Sequence, residues 1–316
     1  MHMTQSASII LAEAISMPEA IEDLAKFDAV LIAGPTASGK SAFALDLAQR
    51  YHGALINADS MQVYRDLRVL SARPGLSDEA LVPHYLFGHV DGAFNYSVGH
   101  WLDDVAGLLP ELRRQGRLPI FVGGTGLYFK ALTQGLSEVP RVPDAIRAQI
   151  RAEAQGVAPE LLHARLAACD PLMAARLRPS DPQRLLRALE VFVSEGQSLA
   201  VFQNRKSTPM LDVTKCAALF LSPEREDLRQ RIETRFEAML EQGALQEVAS
   251  LAQRNLDRTL PIMRAHGVPH LLDYHEGKLD LATATAASVK DTKQYARRQF
   301  TFARHQLRAF KPVPVA

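Results

Sequence analysis

The chain is poor in cysteine, with two in 316 residues, Cys169 and Cys216, far apart and in no metal-ligand spacing. That argues against a disulfide framework and a zinc–cysteine site, and it fits a reducing compartment such as the cytoplasm. Net charge is nearly absent: 36 basic side chains against 35 acidic ones leave +1, so any surface for a polyanion must be local. No apolar run approaches the length of a membrane span, and no membrane partner is expected. Residues 1–16 contain Ile9-Ile10-Leu11-Ala12 but lack a basic leader region and carry Glu13, which argues against a signal peptide. Residues 1–26 are expected to form a poorly specified extension with room for one short helix. What is present is an ordinary globular balance, 47% apolar and 22% charged, enough for one large core or two smaller ones.

The most specific stretch is Gly34-Pro35-Thr36-Ala37-Ser38-Gly39-Lys40-Ser41, a match to G-x-x-x-x-G-K-[ST]. Before it, Ala29-Val30-Leu31-Ile32-Ala33 is an unbroken apolar run, read as a buried parallel strand. After it, residues 42–48 are rich in helix formers, with Phe43, Leu47 and Tyr51 at helical spacing. Strand, glycine loop and helix together predict a phosphate-binding loop. Its glycines permit a tight turn whose N–H groups converge on an anion, and the helix N-terminus adds its positive dipole end. Lys40 is placed to reach terminal phosphate oxygens, and the Ser41 hydroxyl to ligate Mg2+. Such a loop specifies a phosphate without saying which compound carries it.

The rest of the chain predicts an α/β protein: a P-loop NTPase-like parallel sheet core with an inserted all-helical domain. A second short strand at 54–57 delivers Asp59, whose readings are metal or indirect metal ligand, general base, or helix N-cap. Residues 71–100 form a loop-rich excursion, in which His84 and His89 are structural or substrate-facing; 98–114 reads as an amphipathic helix. A third strand at 119–122 runs into Gly123-Gly124-Thr125-Gly126, and Thr125 can offer a hydroxyl to the same pocket. No acid ends that strand, which weighs against a motor or switch ATPase. Strand signals vanish across 133–210, where prolines punctuate short helices. The core is therefore assigned to 27–132 and 211–316, and the insertion to 133–210. In the helix at 181–192, Leu185, Leu189 and Phe192 form a buried stripe. Gln183, Arg184 and Arg187 lie on another side, as solvated surface or as phosphate contacts. A strand at 216–221 and a helix at 227–240 follow, then an interruption at 262–275. In a last helix over about 286–310, Lys290, Lys293, Arg297, Arg304 and Arg308 fall within an arc of roughly 60° at 100° per residue. Tyr295 and Phe302 lie opposite as core candidates. A one-sided cationic stripe with Asp291 as its only acid favours a nucleic-acid backbone over a solvated face.

These pieces resemble the bacterial tRNA dimethylallyltransferase (IPP transferase) family over most of residues 28–308. The segments that carry the resemblance are GPTASGKS at 34–41, DSMQVYR at 59–65, GGTGLYFKAL at 123–132, DPQRLLRALEV at 181–191, RIETRFEAML at 231–240, MRAHGVP at 263–269 and YARRQFTFARHQ at 295–306. The resemblance implies transfer of a dimethylallyl group from its diphosphate to N6 of the adenosine beside the anticodon. The 34–41 loop would then hold a diphosphate leaving group, with Lys40, Arg235 and Mg2+ on Ser41 neutralising its charge. Asp59 would be the base and Thr125 a group near the reacting centre. The implied tRNA contacts are Asp59, Ser60, Met61, Gln62 and Thr125, then Gln183, Arg184, Leu185, Leu186 and Arg187, with Arg147 at the start of the insertion. In the last helix they are Arg297, Arg298 and Arg304, to which the helical wheel adds Lys293 and Arg308. The adenosine must leave its stack to react. The expected partners are the tRNA anticodon stem-loop and dimethylallyl diphosphate, and the expected state is a cytoplasmic monomer. Asp66, where the family usually has glycine, and Phe302-Ala303, where it has Trp-Leu, depart from the pattern. The absence of a zinc-finger extension after 310 points to the bacterial form. Two rivals are a small-molecule P-loop kinase and a prenyltransferase acting on free adenine nucleotides.

Overall fold

Apolar runs too short for helices become the strands of one parallel sheet. The computed structural model describes residues 24–315. Apart from a 3₁₀ turn at Leu24–Lys26, the expected extension at 1–26 lies outside the described residues. The strands are β1 (Ala29–Ala33), β2 (Gly53–Asn57), β3 (His84–Tyr85), β4 (Leu118–Gly123), β5 (Cys216–Pro223) and β6 (Lys311–Val315), in the order β3-β2-β4-β1-β5-β6. Every pairing is parallel. Every residue of β1 and β2 is buried, as a sheet covered on both faces requires. β3 and β6 extend the expected sheet by one strand at each edge. β3 is two residues long, and β6 reads Lys-Pro-Val-Pro-Val, a pattern that hides a strand. Proline is tolerated at an edge, where its missing N–H would have faced solvent.

The helices are α1 (Lys40–Arg50), α2 (Val98–Arg114), α3 (Gly126–Gln134), α4 (Asp144–Glu153), α5 (Pro159–Cys169), α6 (Pro182–Glu195), α7 (Arg225–Glu241), α8 (Ala244–Gln253), α9 (Val268–His275) and α10 (Leu281–Gln306). The chain divides into two compact units, one of residues 1–133 with 210–316 and the other of 134–209. Two expectations need correction. Residues 262–275 do not simply interrupt the helices, since α9 occupies 268–275. The last helix starts and ends earlier than expected: Asp280 caps it through the Thr283 N–H (2.8 Å). Arg308 therefore lies beyond its end.

The second unit packs around Val142, Ile150, Leu162, Leu166, Leu185 and Leu189, all buried. Proline opens both α5 and α6, and Asp181 accepts the Arg184 N–H at 3.2 Å to cap α6. Leu185 has no exposed surface, so its reading as a nucleic-acid contact fails; the 3.6-residue period turns it inward. Glu190, also buried, holds Arg151 at 3.1 Å and Arg187 at 3.7 Å.

In the first unit, register brings the functional turns to one end of the sheet. Ala33 of β1 pairs with Gly123 of β4 and Phe220 of β5, and Asn57 of β2 pairs with Val122. The turns after β1, β2 and β4 therefore leave the sheet side by side, at the carboxyl ends where open α/β sheets bind ligands. The Trp101 indole N–H donates to the Asn57 carbonyl at 2.7 Å and the ring stacks on Tyr128 at 4.5 Å, anchoring α2 and α3 beneath this end. Gly123 is a point of close backbone approach, because a Cβ there would collide with the Ala58 backbone. Gly123→Ala should therefore lower unfolding stability by about 3 kcal/mol, read as a fall in the urea midpoint at constant m. An unchanged midpoint would show that the two turns do not touch as tightly as described.

Candidate active site

The loop after β1 takes left-handed backbone at two residues, Gly39 (φ 82°) and Ala37 (φ 60°). Gly34 is needed for closeness instead, since a Cβ there would meet the Leu221 side chain and carbonyl at 3.2 and 3.3 Å. Lys40 is buried at the first turn of α1 and donates from Nζ to the Pro35 carbonyl at 3.1 Å. The Ser38 hydroxyl is fully buried beneath the loop and has no hydrogen-bond partner. Ser41 is exposed at the helix start. Arg235 on α7 points its guanidinium at the Thr36 hydroxyl (3.4 Å), so a second cation joins the loop from a distant part of the chain.

Asp59 stands at the end of β2, opposite these cations. Its Oδ1 accepts the Met61 N–H at 3.0 Å, the capping role open to any aspartate here. Among the described residues its Oδ2 has no hydrogen-bond partner, and it lies over Gly124, 3.2 Å from where a Cβ would sit. The backbone beneath is held by Asn57, whose side chain accepts the Asp59 N–H at 2.8 Å and donates to the Asp59 carbonyl at 2.9 Å. The Thr125 hydroxyl accepts the Ser60 N–H at 2.9 Å and meets the Ser60 hydroxyl at 3.2 Å; both contacts join Thr125 to Ser60. Thr125 thus ties the β4 turn to the β2 turn.

A cavity of about 320 Å³ opens among some of these groups. Thr36, Asp59 and Arg235 line one part, Leu70, Ile232, Phe236 and Met239 give an apolar wall, and His266, Tyr295 and Arg298 come from the C-terminal segments. The His266 ring lies 4.6 Å from Tyr295, and the Arg298 guanidinium 5.7 Å from the Tyr295 ring centre. Burial pulls the Lys40 ammonium down to about 8, with Asp59 opposing the shift and Arg235 adding to it. Burial likewise lowers Arg235, against the pull of Asp59. It also keeps the Tyr128 and Tyr295 phenols protonated and, with Arg298 beside it, the His266 imidazole neutral. Two desolvated cations facing one carboxylate leave a net positive charge that favours an anion.

The residues singled out from the sequence divide accordingly. Thr36, Ala37, Asp59, Ser60, Met61, Arg235 and Arg298 share the cavity. Gln62 does not: it is buried, and its amide nitrogen donates to the Ser71 and Ala72 carbonyls at 3.0 and 3.1 Å, so it shapes the loop. Tyr295, expected in the core, lines the cavity instead. On α10, Lys290, Arg297 and Arg304 are exposed, while Lys293 is half-buried against Glu233 of α7, which the wheel could not reveal. In the second unit Arg147 pairs with Asp144 at 3.1 Å and Arg184 with Asp181 at 3.2 Å, while Gln183 is exposed and Leu186 half-buried. His84 contacts the Val82 carbonyl and His89 the Asp104 carboxylate. Asp66 accepts the Gly92 N–H at 2.8 Å and pairs with Arg254, which also holds Asp91. Sequence reading missed Gln299, whose buried amide bonds two of the turns, along with Arg264 and His266. Their segments stood out, but no spacing links them to residues more than a hundred positions away.

Among the described residues no three His, Cys, Asp or Glu side chains gather as a metal cage. The single hydroxyl of Ser41 fits Mg2+ all the same, because that ion is commonly held by substrate phosphates, water and one or two protein oxygens. No described helix is long and apolar enough to cross a membrane.

A parallel sheet whose strand ends bring a glycine loop, two buried cations and a carboxylate to one side defines an α/β protein of the P-loop type. Residues 62–306 match the family described as IPP transferase, and residues 27–81 match isopentenyl transferase. The chain is 64% identical over 286 residues to a tRNA dimethylallyltransferase of Methylocella silvestris, covering 90% of this chain and 94% of that protein. It is 62% identical over 282 residues to one of Beijerinckia indica, covering 89% and 93%. Among solved structures, a tRNA isopentenylpyrophosphate transferase of Bacillus halodurans superposes with a TM-score of 0.64 at 31% identity, over 90% of this chain and 89% of that one. A eukaryotic dimethylallyltransferase acting on tRNA gives 0.75 at 26% identity, over 91% and 74%. The chain belongs to the IPP transferase family.

The low Lys40 value sets a pH dependence. In the ligand-free protein the ammonium is charged below about pH 8 and lost above it. Affinity for a simple alkyl diphosphate, measured by calorimetry, should therefore fall as pH rises from 7 to 9. Lys40→Arg keeps its charge and should lose that dependence; a wild type with flat affinity would remove Lys40 from the anion site.

Proposed function

We propose that this protein transfers a dimethylallyl group from dimethylallyl diphosphate to N6 of the adenosine 3′-adjacent to the anticodon, position 37, in tRNAs that read codons beginning with U. The observation that carries the reading is one cavity lined by Thr36 and Ala37 of the 34–41 loop, by Arg235 and by Asp59, with Lys40 buried and bonded to the Pro35 carbonyl of the same loop. Neither a kinase nor an ATPase needs the apolar wall of Leu70, Ile232, Phe236 and Met239, which suits a five-carbon chain. Membership of the family supports the same chemistry.

The N6 lone pair attacks the allylic carbon as the C–O bond to the diphosphate breaks, and the bonding pair leaves with the diphosphate. Lys40, Arg235 and the loop N–H groups stabilise that departing charge. Bound Mg2+, held at Ser41, supplies further charge neutralisation. Asp59 orients the exocyclic amine through Oδ2 and accepts its proton, while Oδ1 stays on the Met61 N–H so that the carboxylate keeps its angle. Thr125 locks the two turns around the reacting centre. The adenosine flips out of its stack to enter, with Ser60, Met61 and Arg298 at the cavity. Arg297 and Arg304 contact tRNA phosphates from the first unit; Arg147, Gln183, Arg184 and Arg187 do so from the helical unit, which serves as the tRNA-contacting domain. The enzyme works as a cytoplasmic monomer.

The test is incubation with labelled dimethylallyl diphosphate, AMP and unmodified tRNA. Label should enter tRNA alone; label in AMP alone would defeat the tRNA reading. Asp59→Asn should slow single-turnover transfer about 10²–10⁴-fold with tRNA affinity retained. Loss of binding without loss of rate would reduce Asp59 to its capping role. Replacing Arg297 and Arg304 by Gln should weaken tRNA binding and flatten its salt dependence by roughly 0.7–0.9 in log–log slope for each phosphate no longer neutralised. Parallel salt lines of equal affinity would return this face to solvent.

A further inference from the structure

Gln299 sits on α10 between exposed Arg297 and Arg304, yet its own side chain is 8% exposed. Both ends of its amide are used. Oε1 accepts the Thr36 N–H at 3.0 Å, and Nε2 donates to the Gly124 carbonyl at 2.8 Å. The orientation is unambiguous, because a flipped amide would set donor against donor and acceptor against acceptor. The two partners belong to the two halves of the site. Thr36 is in the diphosphate loop and meets Arg235 through its hydroxyl. Gly124 underlies Asp59 Oδ2, and a Cβ there would collide with the Gln299 amide nitrogen. One turn further along α10, Phe302 closes over Gly126 of the same turn.

We propose that Gln299 is a positioning residue for the transfer. Its amide bridges the loop that holds the leaving diphosphate and the turn that seats the base, and so sets their separation. The inference rests on the transfer reading above. A carbon bonded to diphosphate and an amine bonded to Asp59 must meet in line, and a displacement of about 1 Å can cost roughly 10²-fold in rate. Separate contacts hold each turn, Asn57 and Thr125 on one side and Arg235 on the other, and Gln299 bonds both. It also lies on a helix that carries arginines for tRNA, so it ties the reacting geometry to the tRNA-facing element.

The experiment compares wild type, Gln299→Met, Gly124→Ala and the double variant in single-turnover transfer at saturating dimethylallyl diphosphate and tRNA. Gln299→Met keeps length and volume but forms no bridge; Gly124→Ala pushes the bridging amide aside while leaving Gln299 in place. Each single variant should lower the rate constant per bound complex about 10²-fold. tRNA affinity should stay within threefold, because the side chain is buried. The double variant should be no slower than the slower single, since both break one bridge. Calorimetry with inorganic diphosphate, which needs no activity, should give about tenfold weaker binding to Gln299→Met, the scale of one hydrogen bond. A merely structural Gln299 would lower the fraction of active enzyme and leave the rate constant unchanged; that result, additive effects on rate, or an equal fall in tRNA affinity would overturn the proposal. If Gln299→Met does not fold, Gly124→Ala carries the test, and a wild-type rate in it is equally fatal. A wild type that transfers nothing to tRNA would instead count against the transfer reading, while the diphosphate titration still reports on the bridge.

Discussion

Two cations that burial makes costly, set against one carboxylate, are the constraint around which the first unit is arranged. Lys40 and Arg235 both feel Asp59, and neither has a carboxylate bonded to it directly. An unpaired buried charge is expensive to hold, so such an arrangement persists where an anion completes it. The buried, unpartnered Ser38 hydroxyl under the same loop belongs to the same picture. Asp59 is held separate from both cations: its Oδ1 is fixed by the Met61 N–H, and among the described residues its Oδ2 has no hydrogen-bond partner.

That separation is a property of the sheet. Parallel pairing in register ends β1, β2 and β4 together, and each strand releases one turn with one task. Glycine appears where the turns approach closely: Gly34 against Leu221, Gly123 against the Ala58 backbone, and Gly124 between Asp59 and Gln299. Helices that arrive late in the chain complete the cavity. α7 brings Arg235, and α10 brings Tyr295 and Arg298. The residues that depart from the family pattern have local explanations. Asp66 anchors its loop through the Gly92 N–H and Arg254, and Phe302 covers Gly126.

The helical unit follows a different logic. Several of its arginines are charged surface with partners: Arg151 and Arg187 share buried Glu190, and Arg147 and Arg184 hold carboxylates one helical turn away. Pairing of this kind limits repulsion and fixes side-chain direction at little energetic gain for the exposed members. Arg147, Arg151 and Arg187 still outnumber the two carboxylates that hold them, Asp144 and Glu190, and Arg187 feels both other arginines.

The strand–loop–helix around residues 29–50, the strands at 53–57, 118–123 and 216–223, and α2 were legible in the sequence, because each rests on local periodicity and turn chemistry. So was the tight glycine turn at 34–41, whose signal lies in eight consecutive residues. Other features were hidden for physical reasons. β6 carries prolines that read as a break and are harmless only at an edge. Lys293 looked free on a helical wheel, which knows nothing of Glu233 on another helix. Leu185 sat inside a motif yet faces the core. Above all, the sequence by itself determined which side chains can bind a phosphate and take a proton. Only the tertiary structure decided that Thr36, Asp59, Gly124, Arg235 and Gln299 meet, because side chains that far apart in the chain are joined by register and helix packing, which no local pattern encodes.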